Sequence, residues 1–355
     1  MDAEMMPQTP AQRPAQTPVQ TPAQATAQTP AGKKAPLPTA TVVICAYTEE
    51  RWDWLQEAVA SVQSQSVAPH ELIIVVDHNL TLQKRLLHQV TGAYTLENNG
   101  AKGLSGARNT GVLAATGEIV AFLDDDAVAH PDWLRRQLEL YDDPAVYAVG
   151  GQIDPLWENG RPAHFPHELD WIVGCSYRGL PRVAAQVRNV IGASMSFRRS
   201  VFEDAGLFDE RMGRTSSPRG CEETELCIRT AALRPGGRVV YEPASLVQHH
   251  VTAARTTMGY MLARSWGEGI SKAQISALPG APRRLAPERR YVSEVLPKAV
   301  IRSLADGGTA GLARSGAILS VLAATAAGYL VERARRPLAS VHAPRRGAGK
   351  MEAAS

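Results

Sequence analysis

Three groups of side chains in this chain of 355 residues carry enough charge or ligating power to do chemistry. The first is Asp124-Asp125-Asp126, which follows directly on the apolar run Glu118-Ile-Val-Ala-Phe-Leu123. Neighbouring carboxylates at ~4 Å, in a medium of effective dielectric ~20, repel by roughly 4 kcal/mol before relaxation. A divalent cation relieves that repulsion, and oxygen donors of this hardness suit Mg2+ or Mn2+. A solvated acidic turn is the competing outcome, but the buried run before it favours an ordered pocket position. The second group is Gly220-Cys-Glu-Glu-Thr-Glu225, at the start of a helical pattern. The helix dipole accounts for one or two carboxylates there, at about 0.3–1 kcal/mol each, and leaves a third without that explanation. A glutamate enclosed beside other carboxylates has a raised pKa and suits a general base. The third is His249-His250, soon after a strand pattern: neutral imidazole ligates metals, although a lone His pair more often lies at a surface.

The elements that must position these groups alternate. Ala40-Thr-Val-Val-Ile-Cys45 is short, apolar and β-branched, as a buried parallel strand requires. In WDWLQEAVASVQSQ, Trp54, Leu55, Ala58, Val59 and Val62 share one face of a helix. Glu71–Val76 is a second strand, ending at Asp77; a helix lies within Gly103–Thr116; Glu118–Leu123 is a third strand, ending at the aspartates. In open α/β sheets ligands sit at the carboxyl ends of strands, where Asp77 and Asp124–Asp126 fall. Further on, 146–150 and 188–198 read as strands, 222–232 as a helix and 238–241 as a last strand. There is no GxxxxGK[ST] loop, no GxGxxG after the first strand and no GxSxG elbow, which argues against P-loop NTPases, dinucleotide dehydrogenases and α/β-hydrolases.

The order of short motifs resembles a known family. It runs through Ala46-Tyr47-Thr48-Glu49-Glu50, Ser61-Val-Gln-Ser-Gln65, strand-Asp77, Gly103-Leu-Ser-Gly-Ala-Arg-Asn-Thr-Gly111 and Phe122-Leu-Asp-Asp-Asp126. It continues with Gly192-Ala-Ser-Met-Ser-Phe197, Gly206-Leu-Phe-Asp-Glu210 and Gly220-Cys-Glu-Glu-Thr-Glu-Leu-Cys-Ile-Arg229. Each is weak alone; their common order over roughly 39–275 is similar to that of the family 2 glycosyltransferases. The resemblance implies the α/β GT-A fold, a Rossmann-like mixed sheet, mostly parallel, with helices on both faces, here followed by a C-terminal helical extension.

The resemblance also implies roles. Ala46, Tyr47, Thr48 and Glu50 would hold the donor's nucleobase and ribose, and Asp77 the base. Arg108 and Asn109 match a segment lining the donor site. Asp124 and Asp126 match the ends of the DxD motif, with Asp125 between them in the donor site. Asp124 would touch the ribose side, and Asp126 would hold Mg2+ or Mn2+ on the diphosphate. Glu222-Glu223 match a Glu-Asp pair whose second member is the base; Glu223 is one methylene longer than the usual Asp, and Glu225 is its stand-in. His250 matches a late histidine that completes the metal site, with His249 a close competitor. The implied reaction is a single inverting displacement on a nucleotide-diphospho-sugar. Arg264-Ser-Trp266 lacks the glutamine of the processive synthases, which points to addition of one sugar. Rival readings are a nucleotidyltransferase, disfavoured by the acidic turn after the first strand, and a non-catalytic sugar-nucleotide or lipid-binding scaffold.

The net charge of +3 hides a division. Residues 283–355 hold thirteen Lys/Arg against five Asp/Glu, whereas 39–282 carry a net of −6. The acidic centre suits a cation, and the basic end suits an anionic partner. Residues 1–38 form an arm rich in Pro, Thr, Gln and Ala, with no apolar signal-peptide core, and are expected to be disordered. The four cysteines form no CxxC pair, which favours a reducing, cytoplasmic setting. Within the basic helical extension 276–355, residues 315–331 are uncharged. As a helix this run would cover about 25 Å against a bilayer core of about 30 Å. It reads either as a membrane-associated helix, peripheral or anchoring at the inner face of the cell membrane, or as a helix packed on the catalytic domain. The expected partners are a nucleotide-diphospho-sugar, a lipid-linked or polysaccharide acceptor and a membrane surface. Nucleic acid is disfavoured, because the basic tail lacks interleaved aromatics.

Overall fold

The computed structural model describes residues 36–213, 220–278 and 285–335. The N-terminal arm lies outside them, and the described residues from Leu37 onward form one compact unit. Its elements begin β1 (Ala40–Ala46), α1 (Trp52–Gln63), β2 (Glu71–Val76), α2 (Leu80–Gln89), β3 (Tyr94–Glu97), α3 (Leu104–Ala114) and β4 (Ile119–Asp124). They continue β5 (Ala127–Ala129), α4 (Trp133–Leu140), β6 (Val146–Trp157), β7 (Ala185–Val187), β8 (Ser194–Arg198), α5 (Ser200–Ala205), α6 (Glu222–Leu233) and β9 (Arg238–Val251). The C-terminal helices are α7 (Met258–Ser276), α8 (Ala286–Arg290), α9 (Leu296–Ala305) and α10 (Gly308–Arg335).

The strands form one nine-stranded sheet in the order β3-β2-β1-β4-β8-β6-β9-β5, with β7 also paired to β9. β3, β2, β1 and β4 run parallel; beyond β4 the sheet is mixed, with β8 antiparallel to β4 and β6, and β9 parallel to β6. The period-two pleat explains why the parallel strands read as unbroken apolar runs. Val42 and Ile44 face one core, with α1 and α4, while Val43 faces the other, with α3 and α6. The register sets Cys45 opposite Asp124 and Ala46 opposite Val76. The first turn, Asp77 and the aspartate run therefore emerge together at one edge.

The second half departs from the sequence reading in a way that matters for the site. β6 extends to Trp157, and β9 runs unbroken from Arg238 to Val251. His249 and His250 therefore lie inside a strand rather than after one. Only 194–198 of the expected strand 188–198 is extended; the residues before it form an irregular segment at Gly192.

The uncharged run 315–331 lies within α10, and it packs on the catalytic core. Ala317, Ile318 and Val321 of α10, with Leu296 and Ala299 of α9, join the same apolar cluster as β1 and α1. α10 lies so close to α7 that a Cβ on Gly328 would stand 2.3 Å from the carbonyl oxygen of Trp266, and one on Gly269 would stand 2.1 Å from that of Thr325. Only residues without a side chain permit so close an approach at these two points. α10 is also long and apolar enough to cross a membrane by length and composition.

Candidate active site

The turn after β1 is shaped by its own side chains. Thr48 Oγ1 accepts from the amide of Glu50, capping a single 3-10 turn over Glu49–Arg51. Asn79 Nδ2 donates to the carbonyl of Tyr47 and to Glu49, tying this turn to the start of α2. Tyr47 and Glu50 face solvent, and Ala46 is buried at the strand end. Next to it, Asp77 accepts from Asn98 Nδ2 at 2.6 Å and from the amide of Gly103 at 2.9 Å. His78 follows in the left-handed region at φ 53°, its Nδ1 2.9 Å from the same carboxylate. Asp77 thus fixes the β2 and α3 turns as well as standing at the edge.

The three aspartates take three different environments. Asp124, at the end of β4, is the accessible one, its side chain 28% exposed. Asp125 turns inward: one oxygen accepts from Arg51 Nη1 at 2.7 Å, and the other has no partner. Burial, with Asp126 beside it, pushes the Asp125 carboxyl up to about 7 despite Arg51. Burial would also raise Asp126, but His249, Arg51 and Arg255 outweigh it and hold that carboxyl well below the usual range. Asp126 lies 3.1 Å from His249 Nε2, 3.0 Å from Arg51 and 3.5 Å from Arg255. Burial would lower His249, yet the neighbouring Asp126 carboxylate lifts it to about 10.

Alternation along β9 settles which imidazole meets the carboxylates. His249 faces Asp126, whereas His250 faces the opposite side, stacked on Trp54 at 5.0 Å and 2.9 Å from Glu57 Oε2. Of the two expected candidates, His249 is the one grouped with the carboxylates, and His250 lies on the other side of the strand. Asp124, Asp126 and His249 each offer one ligand atom, all within 4.8 Å of one another. Two carboxylate oxygens and an imidazole nitrogen fit a divalent transition cation such as Mn2+ better than Mg2+, which takes oxygen ligands.

A buried arginine links this group to the second carboxylate cluster. Arg108, on α3, donates to Glu222 Oε1 at 2.7 Å, to Asp124 at 3.3 Å and to the carbonyl of Gly192 at 3.1 Å. It thereby joins β4, α6 and the irregular segment before β8. Asn109, one residue on and so about 100° around the helix, points elsewhere. Its amide donates to the carbonyl of Phe208 and accepts from that residue's amide, holding the 206–210 loop. Asn109 is buried there.

The glutamates of α6 also divide. Glu222 neutralises Arg108. Glu225 is held by both ends of the Arg229 guanidinium, at 2.8 and 2.7 Å, and Arg229 in turn donates to the carbonyls of Ala205 and Leu207. Glu225 is thus committed to fixing the neighbouring loop. Glu223 faces the large cavity that also reaches Asp124, Arg108 and Gly192. Burial first, then the charge on Glu222, push its carboxyl up to about 7, against the pull of Arg108. Sequence reasoning missed Arg51 and Arg255. Arg51 stands at the end of a motif that was read for its acidic members, and Arg255 follows the last strand with no local pattern to mark it.

Comparison with known proteins places this geometry. Residues 41–206 match the model of the family described as Glycosyl transferase family 2. A glucosyl-dolichyl phosphate glucuronosyltransferase of Haloferax volcanii is 36% identical over 237 residues, covering 65% of this chain and 75% of the relative. A pre-mycofactocin glycosyltransferase of Mycobacterium tuberculosis is 35% identical over 162 residues, covering 45% of this chain but only 33% of the relative. Among solved structures, a mannosyltransferase from Pyrobaculum calidifontis in complex with GDP-Man and Mn2+ matches with a TM-score of 0.53 and 19% identity, over 84% of this chain and 87% of that one. The curled mixed sheet with helices on both faces is the GT-A fold, and the family model and relatives show an enzyme that transfers sugars. The chain belongs to glycosyl transferase family 2.

Proposed function

We propose that this enzyme transfers a single sugar, with inversion, from a nucleotide-diphospho-sugar to a lipid-linked hydroxyl or phosphate acceptor at the inner face of a membrane. The observation that carries the reading is Glu223, a carboxylate poised near pH 7 in the cavity that Asp124 and Arg108 also line. The donor's base and ribose lie against the turn from Ala46 to Glu50 and against Asp77, at the parallel-strand edge where α/β sheets take nucleotides. A divalent cation held by Asp124, Asp126 and His249 would offset the charge on the diphosphate. His249, Arg51 and Arg255 favour the ionised form of Asp126. Arg108, pinned by Glu222, orients Asp124.

Glu223 takes the proton of the acceptor hydroxyl. The acceptor oxygen forms its bond to the anomeric carbon from the side opposite the diphosphate. The bond from that carbon to the phosphate oxygen breaks, and its electron pair leaves with the nucleoside diphosphate. The relative in Haloferax volcanii, named for a dolichyl phosphate-linked acceptor, supports a lipid-linked substrate.

The membrane reading rests on α10. Its outward stripe of Leu312, Gly316, Leu319, Ala323, Ala326 and Leu330 follows three- and four-residue steps, and all six positions are exposed. Arg333 and Arg335 close the helix. Because the opposite side is seated on α7, the helix lies along a bilayer surface rather than through it.

The test is Glu223→Gln in a transfer assay with matched metal and donor. Turnover should fall by about 10²–10⁴-fold. In the wild type, kcat/KM should climb with pH up to about 7 and then level, because the base must lose its proton to act. Near-normal turnover in the variant, or a flat profile between pH 5 and 8, would remove Glu223 from the base role.

A further inference from the structure

His249 has a second partner, on the side of its ring away from the aspartates. Its Nε2 lies 3.1 Å from Asp126, and its Nδ1 lies 3.7 Å from Cys175 Sγ. The cysteine is 0% and the histidine 3% exposed, so the contact is shielded from solvent. The thiol hydrogen has an acceptor of its own in the carbonyl of Val173, at 3.9 Å. A thiol offers one hydrogen and an acceptor sulfur. With the hydrogen directed to Val173, the sulfur is left to accept from the ring. A ligating imidazole is neutral, with one nitrogen a donor and the other an acceptor. If Nδ1 donates to sulfur, Nε2 keeps a free lone pair on the side of Asp124 and Asp126.

The local chain fixes Cys175 at this spot. A 3-10 helix at His167–Val173 ends at Gly174, whose φ of 84° is a conformation that glycine takes without strain. A Cβ there would stand 3.8 Å from His249 Cε1, an ordinary contact, so the glycine is required by its conformation rather than by space. Past it, the amide of Cys175 donates back to the carbonyl of Asp170, and the amide of Ser176 donates to that of Ile153 on β6, the strand beside β9. Asp170 is gripped through both oxygens by Arg161, at 2.7 and 2.8 Å. The turn that carries Cys175 is thus tied to the sheet on one side and to an ion pair on the other.

We propose that Cys175 is a positioning residue for the metal site: its sulfur accepts from His249 Nδ1 and so holds the ring with Nε2 toward the cation that Asp124 and Asp126 share. The proposal rests on the metal-dependent reading above and adds the residue that orients the imidazole. Ligating histidines commonly donate their other N–H to a carboxylate, a carbonyl or water. Here a buried thiol takes that place. Cys175 is not itself a ligand, because it meets the far nitrogen of the ring and stands outside the group formed by Asp124, Asp126 and His249.

The test uses the full chain and Mn2+ alone, with free Mn2+ read by electron paramagnetic resonance. Cys175→Ala removes the acceptor and should raise the Mn2+ Kd by about 10–100-fold. Cys175→Ser keeps both a hydrogen and an acceptor and should recover most of that loss. Serine and alanine are close in size, so the difference between these variants reads the polar contact rather than packing. A Kd in C175A equal to that of the wild type, or one in C175S as high as in C175A, would overturn the proposal. A second measurement needs no variant. In the wild type loaded with diamagnetic Zn2+, NMR spectra of labelled histidine nitrogens should show His249 protonated at Nδ1 and bound through Nε2. Binding through Nδ1, or a thiolate-to-metal charge-transfer band with Co2+, would equally overturn it. If the wild type and H249A bind Mn2+ alike, the metal-dependent reading fails and this proposal falls with it. If H249A weakens binding and C175A does not, the metal site stands and Cys175 alone is excluded.

Discussion

His249 and His250 are adjacent and chemically identical, yet one meets Asp126 and the other stacks on Trp54. The same partition runs through every charged cluster: of three aspartates one is accessible, and of three helix-opening glutamates two line the cavity, one of them paired with Arg108. The partners of the rest are arginines, Arg51 for Asp125, Arg108 for Glu222 and Arg229 for Glu225. Removing a buried partner leaves an uncompensated charge, which is why these pairs hold their geometry. His249→Ala should therefore weaken the metal dependence of transfer by more than about tenfold. His250→Ala should leave the metal requirement near its wild-type value. A metal titration of transfer in both variants checks this, and equal effects would contradict the geometry. The clusters were visible in the sequence as clusters. Which member faces the site was not, because neighbouring residues on a strand or helix differ only in direction, and only the strand register or helix phase sets direction.

At the scale of elements, β9 and α10 carry the most weight. β9 pairs with β5 and β6 as one long strand, and this is what presents His249 beneath the aspartate turn. Its length was hidden by Glu242-Pro243 in the middle, where the register to β6 shifts. α10 was legible as an uncharged helical run, but its partner was not. The contact with α7 is made through Gly269 and Gly328, where the backbones approach too closely for any side chain. Gly328→Val should cost about 1–3 kcal/mol through overpacking and loosen α10 from the core. Thermal denaturation and limited proteolysis would register that as a lower Tm and earlier cleavage near α10. Unchanged values would mean that the helix can shift freely. The parallel strands β1, β2 and β4 and the helices α1, α3 and α6 were readable because their apolar periodicity is local. The short β3 and β5 were not, since strands of four and three residues carry too little pattern.

For the whole molecule, the separation of charge seen in the sequence becomes a spatial arrangement. The acidic centre holds its carboxylates at the edge of the sheet, while the described part of the C-terminal end, 285–335, forms a helical layer that shares the main core. That layer turns an apolar stripe outward, and its seat on α7 makes an in-plane contact with lipid the expected mode. Full-length protein should float with vesicles containing anionic lipid. Leu319→Glu should reduce the bound fraction by about tenfold or more, given roughly 1.5–3 kcal/mol for a buried leucine. Flotation unchanged by that variant, or absent in the wild type, would rule out this face as the membrane contact.

The sequence by itself determined the family, the fold and the edge at which the chemistry sits, because ordered motifs and local periodicity are properties of the chain. Tertiary structure alone decided which histidine meets the carboxylates, which glutamate is left free of an arginine, and that the C-terminal helices close a cavity over it. Those outcomes depend on contacts between residues a hundred or more positions apart, such as Arg108 with Glu222 and Arg188 with Glu288. No local pattern encodes such a pairing, since it is fixed only when the sheet order and the helix seats bring the partners together.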